Sequence, residues 1–303
     1  MRVCVFIFIL FLNLSISLKG QQDTAVRLNY KKRKITLSCA STGFVTGSLI
    51  YLNKIWYQSY NTGNFHFFND NNEWLQMDKF GHSYSTFQFS RLMMDGFEWS
   101  GFSKKQTIGI GGTMGFFYMT AIEIMDGFSK GWGFSWGDML ANAAGTTLAI
   151  SERKFWNSQR IQLKYSFAQS GLANYNSSLL GNNLLTQLIK DYNGQTYWLS
   201  VNLSSYMKKE TKFPRFLSIA IGHSAYGMIG AKQNSFLIRD ETGNVLKLDR
   251  QRRYYFSLDI DLTRLRTKSK FLKRFYSIVN ILKIPAPTIK FSGTGLKFYY
   301  LYF

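Results

Sequence analysis

The chain has 303 residues, 46% of them apolar and 17% aromatic, and carries 37 Lys or Arg against 17 Asp or Glu for a formal net charge of +20. That length can bury a core without covalent staples, and with Cys4 and Cys39 as its only cysteines the sequence excludes a disulfide framework. The positive charge favours polyanionic partners, and since no nucleic-acid motif accompanies it, the expected partner is an anionic lipid or lipopolysaccharide surface rather than nucleic acid.

Arg2 precedes an apolar run from Val3 to Leu18, and the small residues Ser15, Ser17 and Gly20 follow its core. This is the pattern of a cleavable signal peptide over residues 1–20. Asn13, Ser15 and Ser17 break the run below the roughly 20 apolar residues that a span needs. Cys4 lies too early for lipid attachment, so no lipoprotein is expected. Cys39, among small residues in an apolar run, reads as a buried inert thiol.

The helical signals fill residues 21–155. Lys31-Lys32-Arg33-Lys34 opens an apolar segment from Ile35 to Tyr57 that reads as a helix. Phe65 to Asn72 is rich in turn formers and reads as a loop. A second helix is predicted from Lys79 to Glu98, and Ser103 offers an N-cap for a third over Ile108 to Met125. There Gly109, Gly111, Gly112 and Gly115 give the small-residue spacing that lets helices approach closely. A fourth helix is predicted from Trp136 to Ser151, with Leu140, Ala144 and Leu148 on one stripe.

Beyond residue 155 the period shortens. Arg160 to Ser166 alternates polar and apolar residues, as do Thr196 to Leu203, Phe216 to Ala225 and Tyr254 to Leu262, each a strand signature. Phe271 to Leu282 reads as a short basic amphipathic helix ended by Pro285 and Pro287. Thr288 to Phe303 reads as a strand pair or one long strand. Its aromatic ending resembles the closing strand of outer-membrane barrels, although about five strands fall short of the eight of small barrels. From residue 201 onward there are 19 Lys or Arg against 6 Asp or Glu, whereas Asp78 to Ile150 holds 5 against 6. The fold class predicted is therefore α+β: a bundle of about four apolar helices (21–155), then an antiparallel sheet of about five strands with a basic surface (156–303).

Polar residues recur at helical spacing within the apolar helices. Asp78 and His82 are i,i+4, Glu123 and Asp126 are i,i+3, and Asp138 and Asn142 are i,i+4, so each pair shares a helix face. Buried, such groups must satisfy one another, bind a ligand or line a wet cavity, because an unpaired buried charge costs several kcal/mol. Three readings stay open: a divalent-metal site built from His82 and the carboxylates, an acid–base pair for hydrolysis, and a structural network in which Lys79 and His82 pair with the acids. The catalytic candidates are His82, Asp78, Glu123, Asp126 and Asp138, with Lys79, Ser135 and Asn142 in the surrounding cluster. No cofactor motif is present. Gly109-x-Gly111-Gly112 lacks the lysine of a phosphate loop. His66 reads as a surface or packing residue, and His223 as the neighbour of a glycine turn.

The residues Asp78-Lys79-Phe80-Gly81-His82, Glu123 with Asp126, and Ser135 with Asp138, Asn142 and Gly145 resemble the YfiM-like family of envelope proteins, whose function is unknown. Asp191 to Ser200 and Lys283 to Thr288 resemble its longer members. The same order of polar residues is similar, more remotely, to VanZ-like membrane proteins. These resemblances imply an exported protein of the periplasm or outer membrane. The favoured expectation is a membrane-associated, non-enzymatic role. The alternative is an envelope hydrolase or lipid-modifying enzyme using Asp78, His82, Glu123 and Asp138.

Overall fold

The computed structural model describes residues 24–58, 62–208, 210, 212–234, 238–239, 245–246 and 248–303. The signal peptide expected over residues 1–20 lies outside them. The described residues form two compact units: one from those up to Asp70 with Ser85–Asn157, the other from Asn71–Tyr84 with Ser158–Phe303.

The first unit is helical. Helix α1 (Thr24–Leu52) continues through a π-helical turn, Asn53–Tyr57. It starts well before Ile35 because Lys and Arg propagate a helix about as well as Leu. Arg33 donates from Nη1 to the Trp99 carbonyl at 3.1 Å, and the Lys34 ammonium sits 4.4 Å from the Phe102 ring centroid. Helix α2 (Met77–Trp99) belongs to this unit from Ser85 onward. Helix α3 (Gly112–Gly127) follows the turn Lys104–Gln106 and π-helical Thr107–Gly111. Ser103 caps that turn as expected: its hydroxyl accepts the Gln106 N–H, and its own N–H donates to the Gln106 side chain at 3.1 Å. Helix α4 (Trp136–Ser151) runs on through Glu152–Trp156 and stops at Asn157, which takes the left-handed conformation with φ 50°.

Val45, Leu49, Met93, Phe97, Met114, Tyr118 and Met119 form the core of this unit. The glycine spacing acts at Gly115, where a Cβ would stand 2.4 Å from both the Thr86 carbonyl and the Ser90 hydroxyl, whereas at Gly109 nothing lies within 4 Å. One expectation, the burial of Cys39, is corrected. Cys39 is exposed, because it falls on the outward side of α1. On α4 the apolar stripe faces out, with Leu140 72% exposed, while Asp138, Asn142, Gly145 and Thr146 are buried.

The second unit is an antiparallel sheet of six strands: β1 (Ile161–Phe167), β2 (Gln195–Asn202), β3 (Leu217–Tyr226), β4 (Gln251–Ile260), β5 (Ala286–Ser292) and β6 (Gly295–Tyr302), adjacent in chain order. The terminal segment is thus a hairpin. Helix α5 (Leu184–Lys190) precedes β2, and helix α6 (Lys270–Val279) links β4 to β5. A two-stranded ribbon pairs Ile238–Arg239 with Val245–Leu246. Trp74 and Met77 pack with Leu172, Leu180, Ala225, Met228 and Ile229 in a satellite core. Trp74, Leu75 and Gln76 all have positive φ, a left-handed turn leading into α2.

The sheet curls hard. Across a flat sheet β2 and β6 would stand about 19 Å apart at about 4.8 Å per strand, yet the Trp198 and Tyr302 ring centroids are 6.2 Å apart. Lys164 on β1 reaches Asp259 on β4 at 2.7 Å. The chain entering β5 completes the curl: Tyr165 donates its N–H to the Ile281 carbonyl at 3.0 Å and accepts that of Lys283 at 2.9 Å.

Candidate functional site

In the first unit the expected carboxylates gather around the N-terminus of α4. Ser135 is the N-cap, its hydroxyl accepting the Asp138 N–H at 3.2 Å and donating to Asp70 Oδ1 at 2.6 Å. The Ser135 N–H donates to Glu123 Oε2 at 3.1 Å. Glu123 and Asp138 offer carboxylate oxygens within 4.8 Å of each other, as do Asp70 and Asp138. Asp126, one turn along α3, accepts from the Tyr57 hydroxyl at 2.8 Å. Asn142 is fully buried on the Asp138 face of α4.

Burial, reinforced by Asp126 and Asp138 and opposed by the Ser135 N–H, pushes the Glu123 carboxyl up to about 9. Glu123 is therefore a neutral acid at pH 7. Burial and then Asp126 also raise the Tyr57 hydroxyl. Such an arrangement can hold a proton, and carboxylate oxygens of this kind suit a hard divalent cation, with Asp138 common to both close pairs. Sequence reasoning missed Asp70 and Tyr57: Asp70 was absorbed in a turn-forming run, and Tyr57 in an apolar one.

The remaining candidates belong to the second unit. Asp78 is buried in the first turn of α2, where the helix dipole favours an anion, and pairs with Lys79 Nζ at 2.9 Å. His82 is half-buried one turn later. His223 lies within β3. It is buried between the Phe80 and Tyr254 rings at 4.5 and 5.1 Å, and burial followed by Arg252 lowers its imidazole to about 4. His66 is half-buried, its backbone paired to Gly127 and Phe134.

The most unusual feature is the polarity of the sheet. Residues buried in β1 are Gln162, Lys164 and Ser166, while Ile161, Leu163, Tyr165 and Phe167 alternate with them on the opposite face. The register continues this across all six strands. Leu163, Leu199, Ile221, Phe256, Ile289 and Phe298 form one unbroken apolar row. A parallel row runs Tyr165, Tyr197, His223, Tyr254, Phe291 and Leu296. Much of this face is open, with Ile221 57% and Phe298 50% exposed.

The polar face is the covered one. Lys164 and Lys283 both converge on Asp259, at 2.7 and 3.8 Å, with all three side chains fully buried. Ser200 donates to Asp259 at 2.6 Å. Lys283 also donates to the Leu258 and Ile284 carbonyls, each at 2.7 Å. Burial, partly offset by Asp259, lowers the Lys283 ammonium to about 8. Trp198, Tyr255 and Tyr302 complete this interior, the two tyrosine hydroxyls 2.9 Å apart. Water-soluble sheets place these classes the other way round. Alternation was legible in the sequence, but its phase relative to solvent was not.

Two helical runs, Leu28–Tyr57 and Lys104–Gly127, are also long and apolar enough to cross a membrane, a property that core helices share.

Residues 65–154 match the family described as predicted periplasmic lipoprotein, DUF2279. This range contains the Ser135–Glu123–Asp138 cluster and lies within the helical part of the chain. No curated protein and no solved structure matches the chain. By this similarity the chain is a protein exported to the cell envelope, of the periplasm or outer membrane, containing a domain of unknown function.

Proposed function

We propose that the protein is a membrane-associated, non-enzymatic component of the envelope that seats the apolar face of its curled sheet against lipid, at the outer membrane. The observation that carries this reading is the inverted sheet. Lys164, Ser200, Ser257 and Asp259 are buried, whereas Leu199, Ile221, Phe256, Phe291, Leu296 and Phe298 on the opposite face are 40–67% exposed. In water such a face would leave several large side chains hydrated, each forgoing roughly 1.5–3 kcal/mol of burial. Exposed apolar patches of this extent mark contact surfaces. Against lipid the same side chains lose that penalty, and Tyr254, 50% exposed on this face, suits the headgroup level.

The YfiM-like and VanZ-like resemblances rest on the polar residues of the helices and enter this proposal as support for an envelope role only. A second reading, an envelope hydrolase or lipid-modifying enzyme, draws on Glu123, which carries a proton at neutral pH beside Asp138 and could serve as a general acid.

Fractionation of the envelope tests the first reading. The protein should sediment with outer membrane after alkaline carbonate and leave it only in detergent. Release by carbonate or salt alone would sink it. The second reading requires that Glu123→Gln abolish a lipid- or glycan-hydrolysing activity of the purified protein.

A further inference from the structure

Helix α6, with the residues just before it, carries a second surface feature that the sheet does not explain. Ser269 caps the helix, accepting the Leu272 N–H at 3.3 Å. None of its ten residues is buried. Phe271, Leu272, Phe275, Ile278 and Val279 share one arc at 100° per residue, and Lys270, Lys273 and Arg274 share the opposite one. Phe271 and Phe275 stack with centroids 6.3 Å apart, and Phe271 is 74% exposed. Arg266 and Lys268, both exposed, extend the basic arc upstream. From Leu262 to Phe303 the chain has nine Lys or Arg and no Asp or Glu.

The helix is also held in place. Asn280, at its C-terminal end, is buried, accepts the Leu262 N–H at 2.9 Å and donates to Asp261 at 3.3 Å. One and three residues on, Ile281 and Lys283 pin the chain to β1. A helix that exposes bulky apolar residues on one side and Lys270, Lys273 and Arg274 with Ser277 on the other, while fixed to the sheet, has the composition of an interfacial helix.

We infer that α6, with Arg266 and Lys268, binds the surface of an anionic phospholipid bilayer, its phenylalanines entering the acyl boundary and its lysines meeting phosphates. This rests on the lipid-facing reading of the sheet and adds the charge class of the lipid. The occupant is argued from charge: a protein partner of ordinary composition would meet the apolar arc equally well, but a cationic arc with no acidic residue from Leu262 to Phe303 calls for a polyanionic plane.

The test uses the full-length protein and flotation with vesicles of phosphatidylcholine alone or with added phosphatidylglycerol. The wild-type protein should prefer the phosphatidylglycerol vesicles, and salt should weaken the preference. The variant K268Q/K270Q/K273Q alters exposed side chains only, and should bind phosphatidylglycerol vesicles on the order of 100-fold more weakly. F271S/F275S/I278S should lose binding to both compositions at α6 while keeping the wild-type circular dichroism spectrum. Equal binding to the two compositions, or unchanged affinity of the lysine variant, would overturn the inference while leaving the sheet reading standing. Binding to no vesicle at all would overturn the sheet reading as well. Stronger binding to lipopolysaccharide vesicles of matched charge would overturn the choice of phospholipid.

Discussion

Glu123 gives the most quantitative handle on the helical unit. Its carboxyl is raised from 4.5 to about 9, first by burial and then by Asp126 and Asp138. A raised carboxyl binds its proton more tightly folded than unfolded. The stability it contributes is therefore fully present below pH 4.5 and is lost as pH climbs through 9. At about 1.4 kcal/mol per pH unit the full difference is on the order of 6 kcal/mol, of which about 4 falls between pH 5 and 8. Glu123→Gln cannot ionise, yet retains an oxygen to accept the Ser135 N–H now bonded at 3.1 Å. Urea unfolding in detergent micelles, followed by tryptophan fluorescence at a series of pH values, should show the variant gaining on wild type steadily from pH 5 to 8. Parallel pH curves for the two proteins would refute the claim that a buried neutral acid sits at this position.

Removing the shared counter-charge in the sheet interior, Asp259→Asn, should leave Lys164 and Lys283 facing each other without an anion and cost about 3–5 kcal/mol, read as a large fall in the thermal midpoint. Because the Lys283 ammonium is lowered to about 8 from 10.5, the folded state sheds that proton first. Its part of the stability should rise with pH between those values, and Lys283→Met should flatten the rise. Gly115→Val should destabilise the helical unit by at least about 1–3 kcal/mol, since its Cβ would enter the Thr86 carbonyl; a wild-type melting curve would show that α2 and α3 do not approach closely there.

Much of the secondary structure was legible. The helix over Trp136–Ser151 and the strands around Ile161, Trp198, Ile221 and Phe256 follow from periods of 3.6 and 2. The Ser103 N-cap followed from its residue type, though its reciprocal bond with Gln106 did not. What the pattern could not supply was which side of each element is covered. Alternation at Ser257-Leu258-Asp259 is the same whether Leu258 or Asp259 faces inward, and the habit of placing Leu inside fails here. Lys164, Asp259 and Lys283 meet across strands far apart in sequence, so their network required the curl of the sheet. The carboxylate cluster was half legible: Glu123, Asp138, Ser135 and Asn142 stood at helical spacing, but Asp70 joins them from a loop whose path no local rule gives.

The claim that matters most is that the apolar rows of the sheet touch lipid. A carbene photoprobe carried on phospholipid acyl chains, applied to native outer membranes and mapped by mass spectrometry, reads this residue by residue. Ile221, Phe256, Phe291 and Phe298 should take the lipid-borne label, and Ser200, Ser257 and Asp259, buried on the other face, should not. Labelling of those four residues by a water-borne reagent, with none from the lipid-borne probe, would contradict the claim.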